Sequence, residues 1–430
     1  MKEINNEKTG IRVAVGCFII MFIHLGTLGT AGLFIPQLIK ALNVPVSQVS
    51  LNVTFCSLTG FVFSLMVGKL RKKISVRMMI LLGSIAGILH YLISAMTNGI
   101  LLLYIGSILG GIKFGLGTHT CNATIISQWF KEKKATVIGV VFSGAAFGSA
   151  VMMYASGILI ENIGWRSTYI IFAALHLFVA IPINLFVLRE NKEISYDNTS
   201  AKDIASSEIY AFESDNTSLT MRDIHRSASF WMLFISMMLC GTLIVGFKTF
   251  VPSFWQFNGM TALASSKYIS IFMVIATIAT MVSGKVADKF GNEVYIVYLH
   301  SAFIVGMIFV LLFYNKIDAI HVMIPVILVA VAYPLYGSIP ATVAIETFGI
   351  RNYDKVCGEL MAAFFMGQAI VSPIIGGLRD ITGTYSAGFK IIAIFGLASC
   401  LLIECAIRGS SKKSKNIKIK TNINVKIKSV

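Results

Sequence analysis

The sequence predicts an all-α membrane protein, with twelve transmembrane helices arranged as two pseudo-symmetric six-helix bundles. Three observations predict it. Of 430 residues, 56% are hydrophobic and only 13% are charged, where a soluble domain carries about 25%. Apolar runs of the roughly 20 residues needed to cross hydrocarbon recur along the whole chain. A motif that follows the second run also returns after the eighth.

The runs fall near 11–38, 47–68, 76–95, 99–127, 135–159 and 167–188, then 229–252, 266–287, 294–314, 321–345, 357–378 and 386–407. A backbone crossing hydrocarbon must close its own hydrogen bonds, so each run is read as a helix. The opening MKEINNEKTG holds both acids and lysines, and no cleavage site follows it. Residues 1–10 are therefore read as an N-terminal segment and the first run as a retained span.

Connecting charges support the count. Even-numbered links carry KLRKK and Arg77, KEKK at 131–134, and Lys285, Lys289, Arg351 and Lys355. Odd-numbered links hold Lys40, Arg166 beside Glu161, and Lys316 beside Asp318. This bias puts the even links and both termini on the cytoplasmic side of the cell membrane. The bundles then span 11–188 and 229–407. The polar stretch 189–228 reads as a cytoplasmic linker, leaving the NTS sequons at Asn198 and Asn216 unused. Residues 408–430 hold eight Lys or Arg and no acid, which suits an anionic cytoplasmic leaflet. The net charge of +16 is thus assigned to the membrane surface and not to nucleic acid. No pair among the seven cysteines has metal-ligand spacing, and no cofactor is expected.

The repeat is GKLRKKISVRMMI from Gly68 and GKVADKFGNEVYIV from Gly284, 216 residues apart in equivalent turns. Parallel halves related by an axis along the membrane normal produce this pattern. Gly284 and Gly291 permit a tight turn, and Asp288 could cap a neighbouring helix in one conformational state, a latch. An ordinary polar turn is the plainer reading. The first copy has Lys72 and Ser75 in place of Asp288 and Gly291. Small residues at 139, 143, 144 and 148, and Gly106, Gly110, Gly111, Gly115 and Gly117, make faces for close helix approach.

Ionisable groups at membrane depth are costly and point to function. Lys113 in the fourth run and Lys248 in the seventh lack an acid within one turn. One per half, they could hold a carboxylate or other small anion in a watered cavity. Helix pairing for Lys113 and snorkelling for Lys248 are the alternatives. His24 and His119 could donate to a substrate oxygen. Thr120, seven residues past Lys113, would share its face. Trp255 and Pro252 follow Lys248 on one face, making an aromatic wall or an interface anchor. Gln368 and Ser372, one turn apart, offer uncharged hydrogen bonds, as does Asn52. His90, His176 and His300 read as interface or packing residues. Acids within the runs are scarce, with Glu346 and Glu359 near helix ends and Glu404 in the last run.

WFKEKKATVIGVVFSGAAFGSA followed by GWRSTYIIFAAL, with AGLFIPQLIKAL and GKVADKFG, resembles the major facilitator superfamily. Within it, the chain is similar to the oxalate/formate antiporter and monocarboxylate transporter-like group, over about 10–408. The resemblance implies the major facilitator fold, two bundles rocking about a central site, acting as a monomer. It implies secondary active transport of a mono- or dicarboxylate, by exchange or by symport with protons. Gly284, Asp288, Gly291 and, within Gly164-Trp165-Arg166, Arg166 become gating candidates. It also implies a basic residue in the eighth helix and, in the oxalate branch, another in the eleventh. Here YISIFMVIATIATMVSGKVAD has no arginine and LMAAFFMGQAIVSPIIGG no lysine. Lys248 is the compensating candidate; a larger or neutral metabolite or drug-like compound is the alternative substrate. A nontransporting sensor would keep the same fold. No paired acids, HExxH or nucleophile–base arrangement suggests an enzyme.

Overall fold

A computed structural model of the chain describes residues 2–130, 134–191, 221–314, 316–336, 347–348 and 353–428. Every element is helical. The first half contains α1 (Lys2–Leu28), α2 (Ala31–Leu42), α3 (Val46–Leu70), α4 (Val76–Ala95), α5 (Ile100–Gly117), α6 (His119–Trp129) and α7 (Lys134–Leu175). The last of these runs on into π-helical turns at His176–Ala180 and Ile183–Val187. The second half contains α8 (Met221–His225), α9 (Ala228–Phe257), α10 (Ala262–Phe290), α11 (Asn292–Leu312), α12 (Ala319–Val331), α13 (Tyr353–Thr382) and α14 (Ser386–Lys428). Of the linker, 192–220 lies outside the described residues, as do Asn198, Asn216, Glu346, Arg351 and residues 131–133 of KEKK.

Ten helical stretches among the described residues are long and apolar enough to cross a membrane, against the twelve expected. One of the ten, Thr136–Val187, reverses at Gly164, whose φ of 80° is open to glycine at little cost. Ala319–Val331 is apolar but shorter. Helix starts follow local chemistry. Ser75, Ser227, Thr261 and Asp318 accept backbone N–H bonds at the first turns of α4, α9, α10 and α12. Three boundaries differ from expectation. α1 begins at Lys2, inside the segment expected to precede the first span. The first run is divided at Gly29 and Thr30, and the fourth at Thr118, whose ψ of −132° is not helical. Outward faces are apolar, with Leu65, Phe186, Met281 and Leu401 each more than half exposed, as lipid contact requires.

The same pairings recur in both halves. α1 packs on α7, and α3 and α4 on α5; correspondingly α9 packs on α13, and α10 and α11 on α12. Glycines set the two main crossings. A Cβ on Gly26 would stand 2.8 Å from the Gly148 carbonyl, and Gly144 and Gly148 lie against Phe18 and Phe22. In the second half Gly241 presses on Phe364, and Gly367 on Met238. Without a hydrophobic drive between helices in lipid, such close approach supplies much of the association. Gly139, by contrast, meets nothing.

The halves meet through α3 on α13, α7 on α10, and α2 on α9. Hydrogen bonds join them toward the end that carries the 43–45 and 258–261 turns. Asp380 accepts from Val46 N at 2.9 Å and Ser47 N at 2.8 Å. Glu161 accepts from Leu263 N at 2.8 Å. Ser253 Oγ donates to Gly32 O, Thr54 Oγ1 to Ala369 O, and Ser270 Oγ to Ala150 O. Gly32, Gly157 and Gly376 press on the opposite half there. At the other end Gly68, Gly139 and Gly358 face open space. The first of these ends is closed.

Candidate functional site

The centre of the molecule is built from α9 and α13. Gly241 lies against Phe364 and Gln368, and Gly246 against Val371 and Ile375, so the two helices run parallel. Lys248, two turns past Gly241 on the same face, therefore reaches the level of Ser372. Lys248 is half-buried, and among the described residues nothing bonds to its ammonium group. Gln368 Nε2 and Ser372 Oγ are buried without a hydrogen-bond partner. A cation without a partner among the described residues, at the level of two unspent polar groups, is chemically incomplete. Phe365 reaches across the interface toward Phe61 and Phe114, at ring distances of 5.9 and 6.1 Å.

Lys113 is not open to this region. It is fully buried inside the first half, its Nζ donating to Tyr91 Oη at 2.9 Å and lying 4.5 Å from that ring's centre. The pairing of Lys113 and Lys248 around one cavity does not occur in this conformation. His24 also points inward from α1. Its Nδ1 lies 3.1 Å from Gly117 O and its Nε2 3.1 Å from Ser84 Oγ. The His24 and His176 rings stack at 5.2 Å. These groups form a polar layer between two apolar clusters. Met21, Ile80 and Leu116 belong to one; Phe34, Leu103 and Phe172 belong to the other, which continues into the second half.

His119 and Thr120 are exposed, and Thr120 does not share a face with the buried Lys113 as helical spacing implied. The chain breaks at Thr118, so counting by sevens across it fails. His119 instead packs edge-on against Phe142 at 4.8 Å. Trp255 is 3% exposed and packs against Tyr268, which removes the interface-anchor alternative. Asn52 accepts from Ser107 Oγ.

Among the gating candidates, Arg166 donates to Thr97 O at 3.0 Å and Asn98 Oδ1 at 2.9 Å, bracing the turn between α4 and α5. Gly291 ends α10 and opens α11 with φ 84°. The surroundings of Gly284 and the side chain of Asp288 lie outside the described residues. Ser75 caps α4 where Gly291 stands before α11.

Sequence reasoning missed His90 and His176 as members of the Lys113 layer. The signal was available: no Asp or Glu occurs from Lys8 to Phe130, leaving basic groups in these spans without acid partners. It also missed Glu161 and Asp380 as caps, and the π-helical turns. At their start His176 Nδ1 lies 2.8 Å from Phe172 O, competing for that carbonyl.

Two helical halves with the same internal pairings, closed on each other at one end, define a multi-pass carrier of small solutes with no catalytic centre. The chain belongs to the Major Facilitator Superfamily, whose family model matches residues 17–351. Its members are non-catalytic secondary transporters. Among its relatives is an uncharacterized MFS-type transporter of Escherichia coli K12, YhjX. The two are 22% identical over 379 residues, 86% of this chain and 88% of that protein. Human monocarboxylate transporter 12 is 22% identical over 358 residues, 76% of this chain and 66% of that one, just under two thirds. A crystal structure of the nucleoside transporter NupG, in a mutant form, superposes with a TM-score of 0.71 at 12% identity. It covers 92% of this chain and 99% of that one. At that identity the likeness speaks for the fold alone.

Proposed function

We propose that this protein carries a small organic anion, a mono- or dicarboxylate, across the cell membrane by alternating access. Lys248 supplies the positive charge. The observation that carries this reading is the Lys248 ammonium group, half-buried with no bonded partner among the described residues, at the helical level of the unpartnered Gln368 Nε2 and Ser372 Oγ. A carboxylate would offset its charge and accept hydrogen bonds from both neighbours. The similarity to monocarboxylate transporter 12 supports the substrate class.

Twelve spans in two six-helix bundles complete the reading. The Gly164 reversal makes two spans of Thr136–Val187, and Ala319–Val331 with its succeeding turn makes another. With basic links 69–77 and both termini in the cytoplasm, the closed end faces outward. Glu161 and Asp380 then hold the outer side shut, and Asp288, with Gly284, Gly291 and Arg166, belongs to the reverse state. The chain acts as a monomer, by exchange or proton symport.

A second reading, an amphipathic or neutral metabolite, is favoured by the Phe61, Phe114 and Phe365 rings facing one another between the halves. Proteoliposome uptake of labelled pyruvate and oxalate, with wild type and Lys248→Ala, tests the first reading. Saturable uptake should fall at least tenfold in the variant while thermal stability persists. Unchanged KM in the variant ends the role given to Lys248; saturable flux of only uncharged solutes favours the second reading.

A further inference from the structure

The polar layer of the first half has no role in the anion site built on Lys248. Its composition is one-sided. From Lys8 to Phe130 the chain has no Asp or Glu. The titratable groups facing His24 and His176 are Lys113 from α5 and His90 and Tyr91 from α4; behind them Cys56 of α3 faces Lys113 and Tyr91, and Tyr169 of α7 faces Tyr91. Among the described residues no carboxylate enters the layer. An ammonium group has three protons to donate, and Tyr91 Oη is the partner that takes one.

His24 and His176 each present an Nε2 lone pair to the layer. His24 Nδ1, 3.1 Å from Gly117 O, must carry hydrogen to make that bond. Its Nε2 then accepts from Ser84 Oγ at 3.1 Å. The Ser84 hydroxyl has a second acceptor, Ile80 O at 3.0 Å. If His24 gains a proton, it donates to Ser84 Oγ, and the hydroxyl turns to Ile80 O. Both protonation states are fully hydrogen-bonded. His176 spends its Nδ1 hydrogen on Phe172 O, which leaves Nε2 as a lone pair, buried and without a partner. That nitrogen and the Lys113 stem both converge on Gly87. A purely structural layer satisfies its buried polar atoms. This one leaves a base open and gives its neighbour a hydroxyl that works in two directions.

We propose that the Lys113–His176–His24 layer is a proton-binding site of the first half, loaded from one side of the membrane and emptied to the other. The added proton belongs to the layer as a coupled unit and not to one residue. The link to conformation runs through Gly117 O. This carbonyl precedes the break at Thr118 and is held both by His24 and by Asn122 Nδ2 at 3.1 Å. Charging His24 strengthens one hold on the junction of α5 and α6, and so biases the angle between those two helices at the Thr118 break. The inference rests on alternating access but not on the identity of the anion.

The test uses purified protein in liposomes, with spin labels at Lys40 and Thr384, exposed positions at the closed end of opposite halves. The distance distribution is recorded from pH 5 to pH 8.5 without substrate. The wild type should shift between two distances with pH. His176→Gln and His24→Gln should abolish the shift or move its midpoint by at least one pH unit. Ser84→Ala, which removes only the turning hydroxyl, should move it in the same assay if a histidine variant does not fold. A pH-independent wild type, or one curve shared by all folded variants, overturns the proposal. Labelled pyruvate gives the second readout, as the ratio of uptake driven by a pH gradient to counterflow. That ratio should fall at least tenfold in His176→Gln; an unchanged ratio counts against the site. Lys248→Ala should lose both fluxes and keep the pH-dependent distance shift. Failure of the anion reading is thus separable from failure of the proton site.

Discussion

Glu161 and Asp380 perform the same task from opposite halves: each caps the first turn of a helix belonging to the other half. Glu161, at the end of the α7 segment before Gly164, accepts from Leu263 N of α10; Asp380, at the end of α13, accepts from Val46 N and Ser47 N of α3. A carboxylate at a helix N-terminus satisfies orphan N–H groups and meets the positive end of the dipole. The two caps therefore stabilise the closed end selectively, because they vanish when the halves part there.

Removing them should tip the conformational balance. A cap contributes about 0.5–2 kcal/mol, so Asp380→Ala or Glu161→Ala should shift the ratio of states by roughly twofold to thirtyfold. The double variant should approach the product of the two, since the sites share no partner. Spin-label distances between Lys40 and Thr384 would report the shift. A double variant with the wild-type distribution would show that the caps are passive.

The glycine crossings make a second prediction. Gly26 and Gly148 meet backbone to backbone, so a side chain at either has nowhere to go. Gly148→Leu and Gly367→Leu should lower stability by at least about 1–3 kcal/mol, as overpacking does, read as loss of thermal stability in detergent. Gly139→Ala and Gly68→Ala, both in open space, should be neutral or slightly stabilising. Equal damage from all four substitutions would detach the effect from the crossings.

The helices and the repeat were legible because both depend on local composition and period. Gly144 and Gly148 were read as a close-contact face for the same reason, although Gly139 of the same stripe touches nothing. What escaped was every feature set by residues distant in the chain. His90 and His176 each sit alone in an apolar run and looked like interface or packing residues. Only the fold stacks His176 on His24 and brings Lys113 to Tyr91. Thr120 was placed by helical counting through Thr118, where the backbone leaves the helix. The caps escaped because Asp380 serves a helix more than three hundred residues earlier, at Val46. A cap of that kind has no signature in its own neighbourhood.

The turn before α12 carries a pH-dependent contact. The His321 side chain, 2.7 Å from Asp318 Oδ2, and the His321 backbone N–H hold the Asp318 carboxyl below its ordinary value of 3.8. A carboxyl with a depressed folded value stabilises above its unfolded value and loses that contribution as pH falls through the folded one. The α12 start should therefore be unaffected at pH 5 and loosen below about 3.8. Hydrogen exchange at Ile320 and His321 would show this, and Asp318→Asn should flatten the profile. Loosening that begins near pH 6 in both proteins would assign the change to another group.

Lys248 offers the sharpest separation between stability and function. A half-buried ammonium group without a bonded partner is costly to the empty protein, because no charge within the described residues offsets its lost hydration. Lys248→Met keeps the length of the side chain and removes the charge, so the empty variant should melt at a higher temperature than wild type. The order should reverse when ligand is present. A carboxylate bound at Lys248 stabilises only the wild type, by about 2.7 kcal/mol at a hundred times Kd. A thermal-shift series with pyruvate and oxalate against both proteins would therefore give curves that cross. Parallel curves would mean that the anion binds elsewhere. A lower melting temperature for the empty methionine variant would mean that the ammonium group already has its counter-charge within the protein.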